Sequence, residues 1–136
     1  MPRILLIEND TITREIYNSL LCQHGHEVTT VTDLRTAWDK LQKDPPDAAL
    51  LDLVLPDTHG LDLLRNVRRS KNLRDLPMIV YTSLFNPPIV EEAKEAGATR
   101  VFDKAYFSAS TLIDALNECL VPGQQAAQAV SSLREA

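Results

Sequence analysis

Polar groups stand in four places where the surrounding pattern is apolar. Glu8, Asn9 and Asp10 end the run "RILLI", Asp52 sits within "AALLDL", Thr82 and Ser83 follow "MIVY", and Lys104 follows "TRVFD". A single Asp in an apolar strand is costly to bury unless it is paired or bound to a cation. Asp52 therefore asks for an explanation more strongly than Asp10, which can simply cap a following helix. Oxygen donors of this kind suit Mg²⁺, which takes carboxylates, carbonyls and waters and often retains a phosphate. A carboxylate can also attack phosphorus and form an aspartyl phosphate. Lys104 and the Thr82 hydroxyl are then suited to the phosphoryl oxygens, by charge and by hydrogen bonding.

These groups need a scaffold that brings distant segments together. Buried strands are expected at 4–7, 48–53 and 78–82, and more mixed ones at 27–31 and 99–103. Helical spacing separates them. Ile12, Ile16, Leu20 and Leu21 mark a first helix closed by Gly25. Asp33 caps a second, with Leu34, Ala37, Trp38 and Leu41 on one face. Leu61, Leu64 and Val67 mark a third. Pro87 and Pro88 open a fourth, which Gly97 ends. Leu112, Ile113, Leu116, Cys119 and Leu120 mark the last. Strands alternating with helices predict a parallel sheet between two helical layers. The near-continuous apolar strands are central and the mixed ones are edges. This is the flavodoxin-like doubly wound (βα)5 α/β fold, with strand order 2-1-3-4-5. Such sheets bind ligands beyond the carboxyl ends of their strands, where all the polar groups above fall.

Composition narrows the function. The 136 residues are 44% hydrophobic and 24% charged, with a net charge of −5, as expected of one globular domain burying roughly two thirds of its unfolded surface. "RNVRRSKNLR" (65–74) is the only basic stretch and has acids on both sides, which disfavours direct nucleic-acid binding. No membrane span or signal peptide is visible. Cys22 and Cys119 are expected to be buried free thiols in a reducing cytoplasm. The end, "GQQAAQAVSSLREA" (123–136), reads as a linker or frayed helix. The expected division is thus a domain over 1–121 and a tail over 122–136.

The motifs "LLIEND", "LLDLVLPDTHG", "PMIVYTS" and "EEAKEAGATRVFDKAY" resemble, over residues 3 to about 121, the receiver domain of two-component response regulators. The resemblance implies that Asp52 accepts a phosphoryl group from the phosphohistidine of a histidine kinase or phosphotransfer protein. Thr82 would bond a phosphoryl oxygen and Lys104 would pair with the phosphate. Glu8 and Asn9 fall on the acidic-pocket positions for Mg²⁺, and the Val54 backbone carbonyl on a third ligand position. Asp10 is either a further donor or only a cap. A downstream protein or effector domain is the implied listener. A homodimer through the fourth helix, fifth strand and fifth helix has no particular residue in its favour.

The chain departs from the family at several positions. Asn9 replaces a carboxylate, so the metal loses a unit charge among its donors. Val101 replaces the aromatic residue that usually reports phosphorylation, and Phe102 should point to the opposite face. Ala105 replaces a Pro; a cis bond before Ala costs about 2.5–4 kcal/mol, so either the loop differs or strain is stored there. Apolar Val54 and Leu84 flank the acceptor, which in the family hinders hydrolysis. His59 reads as a loop histidine, His24 and His26 as residues of a helix-ending turn, Trp38 as packing, and the Ser83 hydroxyl as incidental.

The first functional expectation is a Mg²⁺-dependent phosphoacceptor that catalyses its own phosphotransfer and acts as a cytoplasmic switch. The alternative is a receiver-like interaction module independent of phosphorylation, which Asn9, Val101 and Ala105 would suit. An aspartate-dependent phosphatase would want an Asp at 54. A flavin carrier would want a hydroxyl- and Gly-rich loop after the first strand.

Overall fold

The structure, a computed structural model, describes residues 1–55 and 60–120. His59 and the expected tail from 122 lie outside the described residues. In chain order the elements are β1 (Arg3–Ile7), α1 (Thr11–Gln23), β2 (Glu27–Val31), α2 (Leu34–Lys43), β3 (Ala48–Asp52), α3 (Gly60–Arg69), β4 (Met78–Thr82), α4 (Pro87–Ala96), β5 (Arg100–Asp103) and α5 (Ala109–Leu120), with a 3-10 turn (Lys104–Tyr106) after β5. All strand pairs are parallel and the sheet order is 2-1-3-4-5. β3 and β4 are buried along their whole length, whereas β2 is exposed at three of its five residues. That contrast is the one expected between central and edge strands.

Alternation along the strands builds two cores. Leu5, Ile7, Leu51, Leu53, Val80 and Val101 face one way, onto Leu34, Ala37 and Leu41 of α2, Leu64 and Val67 of α3, and Val90 and Ala93 of α4. Ile4, Leu6, Leu50, Ile79, Tyr81 and Phe102 face the other way, onto Leu21 of α1 and Leu112, Ala115 and Leu116 of α5. Trp38 packs against the first core from its edge. Phe102 and Val101 lie on opposite faces, as their spacing requires.

Local chemistry sets the helix ends. Asp10, Asp33 and Asn86 are N-caps whose side chains accept the amides of Thr13, Thr36 and Ile89. Pro87 and Pro88 fill the first turn of α4, where a missing N–H costs nothing. Gly97 ends α4 at φ +113°, in the left-handed region that favours glycine.

Two expectations about α1 and the cysteines need correction. Ile12 and Ile16 are 69% and 58% exposed, so the buried face of α1 runs instead through Leu21, with Tyr17 and Leu20 partly buried against the second core. Cys22 is exposed and Cys119 half-buried; both are free. Cys22 shares the outward side of α1 with Gln23, so its helical position does not make it a core residue.

Candidate functional site

Parity along the strands decides which side chains meet. Glu8, Asp52, Tyr81 and Lys104 each stand an even number of residues from second-core positions (Leu6, Leu50, Ile79 and Phe102), so all four project toward the α1–α5 side. Register aligns Ile7 with Leu51, Asp52 with Tyr81, and Tyr81 with Phe102. The carboxyl ends of β1, β3, β4 and β5 therefore come level at one rim.

There, the Lys104 ammonium lies 2.9 Å from Asp52 Oδ2 and 3.4 Å from Glu8 Oε1. Glu8 is fully buried; its Oε1 accepts the Tyr81 hydroxyl at 2.7 Å and its Oε2 the Asp10 amide at 2.9 Å. Asp52 is 5% exposed, and its Oδ1 accepts the Val54 amide at 3.3 Å. Burial pushes the Asp52 carboxyl above its ordinary value, and the Glu8 charge adds to this against the opposing Lys104 bond. Burial works to lower the Lys104 ammonium, but the bond to Asp52 and the charges of both carboxylates outweigh it and raise it. Burial thus decides the direction at Asp52, and the two carboxylates decide it at Lys104.

Thr82 is fully buried, and its hydroxyl accepts the Leu84 amide at 3.0 Å. By parity it faces the first core, the opposite side from Asp52. Asn9 is exposed at the rim, beside Asp10. The Asp10 carboxylate is engaged by the Thr13 amide and hydroxyl at 2.8 and 2.7 Å, the geometry of a cap, and these bonds hold its carboxyl below the usual range. Val54 and Leu84 are 41% and 44% exposed. After Lys104 the chain enters the 3-10 turn, where the Ala105 amide donates to Asp103 Oδ1 at 3.0 Å. No cis peptide occurs among the described residues. A proline at this position would have no N–H for that bond.

The donor set fits a hard dication. Two buried carboxylates against one ammonium leave an excess negative charge, and Asn9 and the Val54 carbonyl are oxygen donors of the kind Mg²⁺ accepts. Among the described residues no three His, Cys, Asp or Glu converge as a metal cluster. His24 makes a local bond to the Leu20 carbonyl and His26 is buried.

Tyr81 is the participant that sequence reasoning missed. Its signal was available: an aromatic residue in an aliphatic strand, one position before Thr82 and of the same parity as Asp52.

A parallel 2-1-3-4-5 sheet carrying an acid pair, a lysine and a hydroxyl at its carboxyl rim defines the class of CheY-like domains. The chain belongs to the response regulator receiver domain family, whose model matches residues 4–117. It is a signalling domain of two-component systems. It is 27% identical to the sensory/regulatory protein RpfC of Xanthomonas campestris over 136 residues, covering 98% of this chain but only 19% of that protein. The chemotaxis response regulator CheY4 of Vibrio cholerae superposes with a TM-score of 0.81 at 28% identity, covering 88% of this chain and 99% of that one. The receiver domain of a sensor histidine kinase from Pseudomonas aeruginosa, solved with magnesium in its active-site cleft, superposes with a TM-score of 0.80 at 27% identity, covering 88% and 97%. No helix among the described residues is long and apolar enough to cross a membrane.

Proposed function

We propose that this domain accepts a phosphoryl group on Asp52 from the phosphohistidine of a histidine kinase or phosphotransfer protein, in a Mg²⁺-dependent reaction. The observation that carries this is the cluster of buried Asp52 and Glu8 with the partly exposed Lys104, whose excess negative charge is matched to a cation and whose Asp52 oxygens lie at the rim. An Asp52 oxygen attacks phosphorus, the phosphorus–nitrogen bond breaks, and its electron pair returns to the departing imidazole. Lys104 moves from the Asp52 carboxylate to the oxygens of the transferred group, and the Thr82 hydroxyl exchanges the Leu84 amide for one of them. Glu8, Asp52, Asn9 and the Val54 carbonyl are the groups that would hold Mg²⁺. When bound, the ion offsets the charge of the incoming phosphoryl oxygens.

The domain is thus a phosphoacceptor that promotes its own modification and acts as a cytoplasmic switch. Its listener is a downstream protein or effector domain. The working unit is residues 1–121, with 122–136 as a linker. Val54 and Leu84, two residues beyond Asp52 and Thr82, are apolar and exposed, and neither can orient an attacking water, so the phosphorylated form is long-lived. The phosphorylation-independent module is the less supported alternative, because acceptor, ammonium and second carboxylate are all assembled.

Incubation with a small phosphodonor and Mg²⁺ should add one phosphate to the intact chain, and none to Asp52→Asn. No mass shift, or an equal shift in the variant, rules the proposal out.

A further inference from the structure

The usual aromatic position on β5 is occupied here by Val101, fully buried in the first core. The aromatic side chains that touch the pocket lie on the other side of the sheet. Tyr81 donates its hydroxyl to Glu8 at 2.7 Å, and the Lys104 ammonium stands 5.6 Å from the centre of its ring. The ring stacks on Phe107 at 5.4 Å and meets Tyr17 of α1 edge-on at 5.7 Å. Phe107, which precedes α5, also contacts Tyr17 at 6.0 Å and stacks on Phe102 at 4.8 Å. One fully buried side chain thus bonds an acid of the pocket at its tip and packs against the α1–α5 layer along its ring.

We infer that Tyr81 is the positioning residue of the acidic pocket, and that its ring couples the charge state of the pocket to Tyr17 and Phe107 in the α1–α5 layer. The hydroxyl and the Asp10 amide bind different oxygens of Glu8, so together they fix the plane of its carboxylate. Partners of this kind orient a ligating group, and losing one costs on the order of tenfold in metal affinity. When the charge facing Glu8 and Lys104 changes, the hydroxyl and the ammonium over the ring shift together. Close-packed neighbours pass such a shift on because packed cores have few intermediate arrangements. The metal-affinity part of this inference rests on the Mg²⁺-dependent function proposed above; the coupling part does not.

Aromatic ¹H–¹³C spectra of the full chain, with the rings of Tyr17, Tyr81 and Phe107 assigned, provide the test. Neutralising the pocket by Glu8→Gln, without metal, should shift the Tyr17 and Phe107 signals. Tyr81→Phe, which keeps the ring but not the hydroxyl, should remove that response and weaken Mg²⁺ binding on the order of tenfold, with the thermal unfolding still cooperative. Phe107→Leu disturbs the same packing but spares the hydroxyl. It should keep both Mg²⁺ affinity and the response at Tyr17, which meets the Tyr81 ring directly, whereas a purely structural role for Tyr81 predicts that it weakens Mg²⁺ binding as Tyr81→Phe does. Unmoved Tyr17 and Phe107 signals in Glu8→Gln overturn the coupling, and unchanged Mg²⁺ affinity in Tyr81→Phe overturns the positioning role. If Mg²⁺ fails to bind the unaltered chain, the metal-dependent function and the positioning role fall together, and the Glu8→Gln spectra still decide the coupling.

Discussion

Asn9 offers an amide oxygen at a position where a carboxylate would add a full charge. At roughly 4 Å from a dication, that charge is worth several kcal/mol of gross attraction at an effective dielectric of about 20, much of it offset by desolvation. Asn9→Asp should therefore tighten Mg²⁺ binding by roughly tenfold or more, as read by calorimetric titration. An unchanged Kd would place residue 9 outside the metal's donors. Asp10 serves as a helix cap through one oxygen, Oδ2, which accepts both the Thr13 amide and the Thr13 hydroxyl. Asp52 gives a second expectation, in stability. Its carboxyl is raised in the folded chain, so folding favours the protonated form and the ionised form carries a penalty at neutral pH. Asp52→Asn removes that penalty, so it should raise the midpoint of thermal unfolding at pH 7. The gain should shrink as pH falls through the raised value toward the ordinary one near 3.8, and vanish below it, where both folded and unfolded carboxyls are protonated. Paired melts at pH 7 and pH 4 check this. A lower midpoint for the variant at pH 7, or the same gain at both, would contradict it.

Among the elements, the strands were the most legible from sequence. Three near-continuous apolar runs and two mixed ones match the central and edge positions, and the capping roles of Asp33 and the two prolines follow from local chemistry. α1 was less legible. Ile12, Ile16 and Leu20 form a row of four-residue steps, each advancing about 40° round the helix, so the row turns from solvent toward the sheet along its length. Spacing alone does not say which of two adjacent apolar rows meets the core; the packing of Tyr17 and Leu21 decides it. The site residues at strand ends were legible as outliers in apolar runs. The Tyr81–Glu8 bond spans 73 positions of sequence and needed the register of three strands to appear. The end of α4 gives a sharp expectation. A Cβ on Gly97 would stand 2.4 Å from Arg68 Cγ, at a φ that L-residues rarely adopt. Arg68 in turn donates to the carbonyls of Gly97, Arg74 and Leu76, tying the end of α3 to the entry of β5. Gly97→Ala should cost at least about 1–3 kcal/mol in chemical denaturation, from left-handed backbone strain and from displacement of that guanidinium. A loss under half a kcal/mol, on the order of an ordinary surface change, would show that Arg68 yields without losing its bonds.

At the scale of the molecule, the sheet divides the domain into two layers that meet the pocket through different residues. Glu8, Asp52, Tyr81 and Lys104 belong by parity to the α1–α5 side, whereas Thr82 and Val101 belong to the side of α2, α3 and α4. A change at the rim can therefore be felt on either side, and side-chain volume decides where. On the α1–α5 side Tyr81, Tyr17, Phe102 and Phe107 pack ring against ring. On the other side Val101 is fully buried, pairs in register with Val80 and shares its core with Val90 and Ala93, with Phe85 packed against that core, so a larger side chain finds little space. Val101→Tyr should consequently overpack that core and cost about 1–3 kcal/mol, while Mg²⁺ affinity stays at the natural value because the new ring lies across the sheet from Glu8 and Asp52. Denaturant unfolding and a metal titration on the same variant test both halves. If Val101→Tyr matched the natural chain in stability and its ring signals answered to Mg²⁺, the α4 side would have room for an aromatic reporter, and the one-sided arrangement argued from the packing would be wrong.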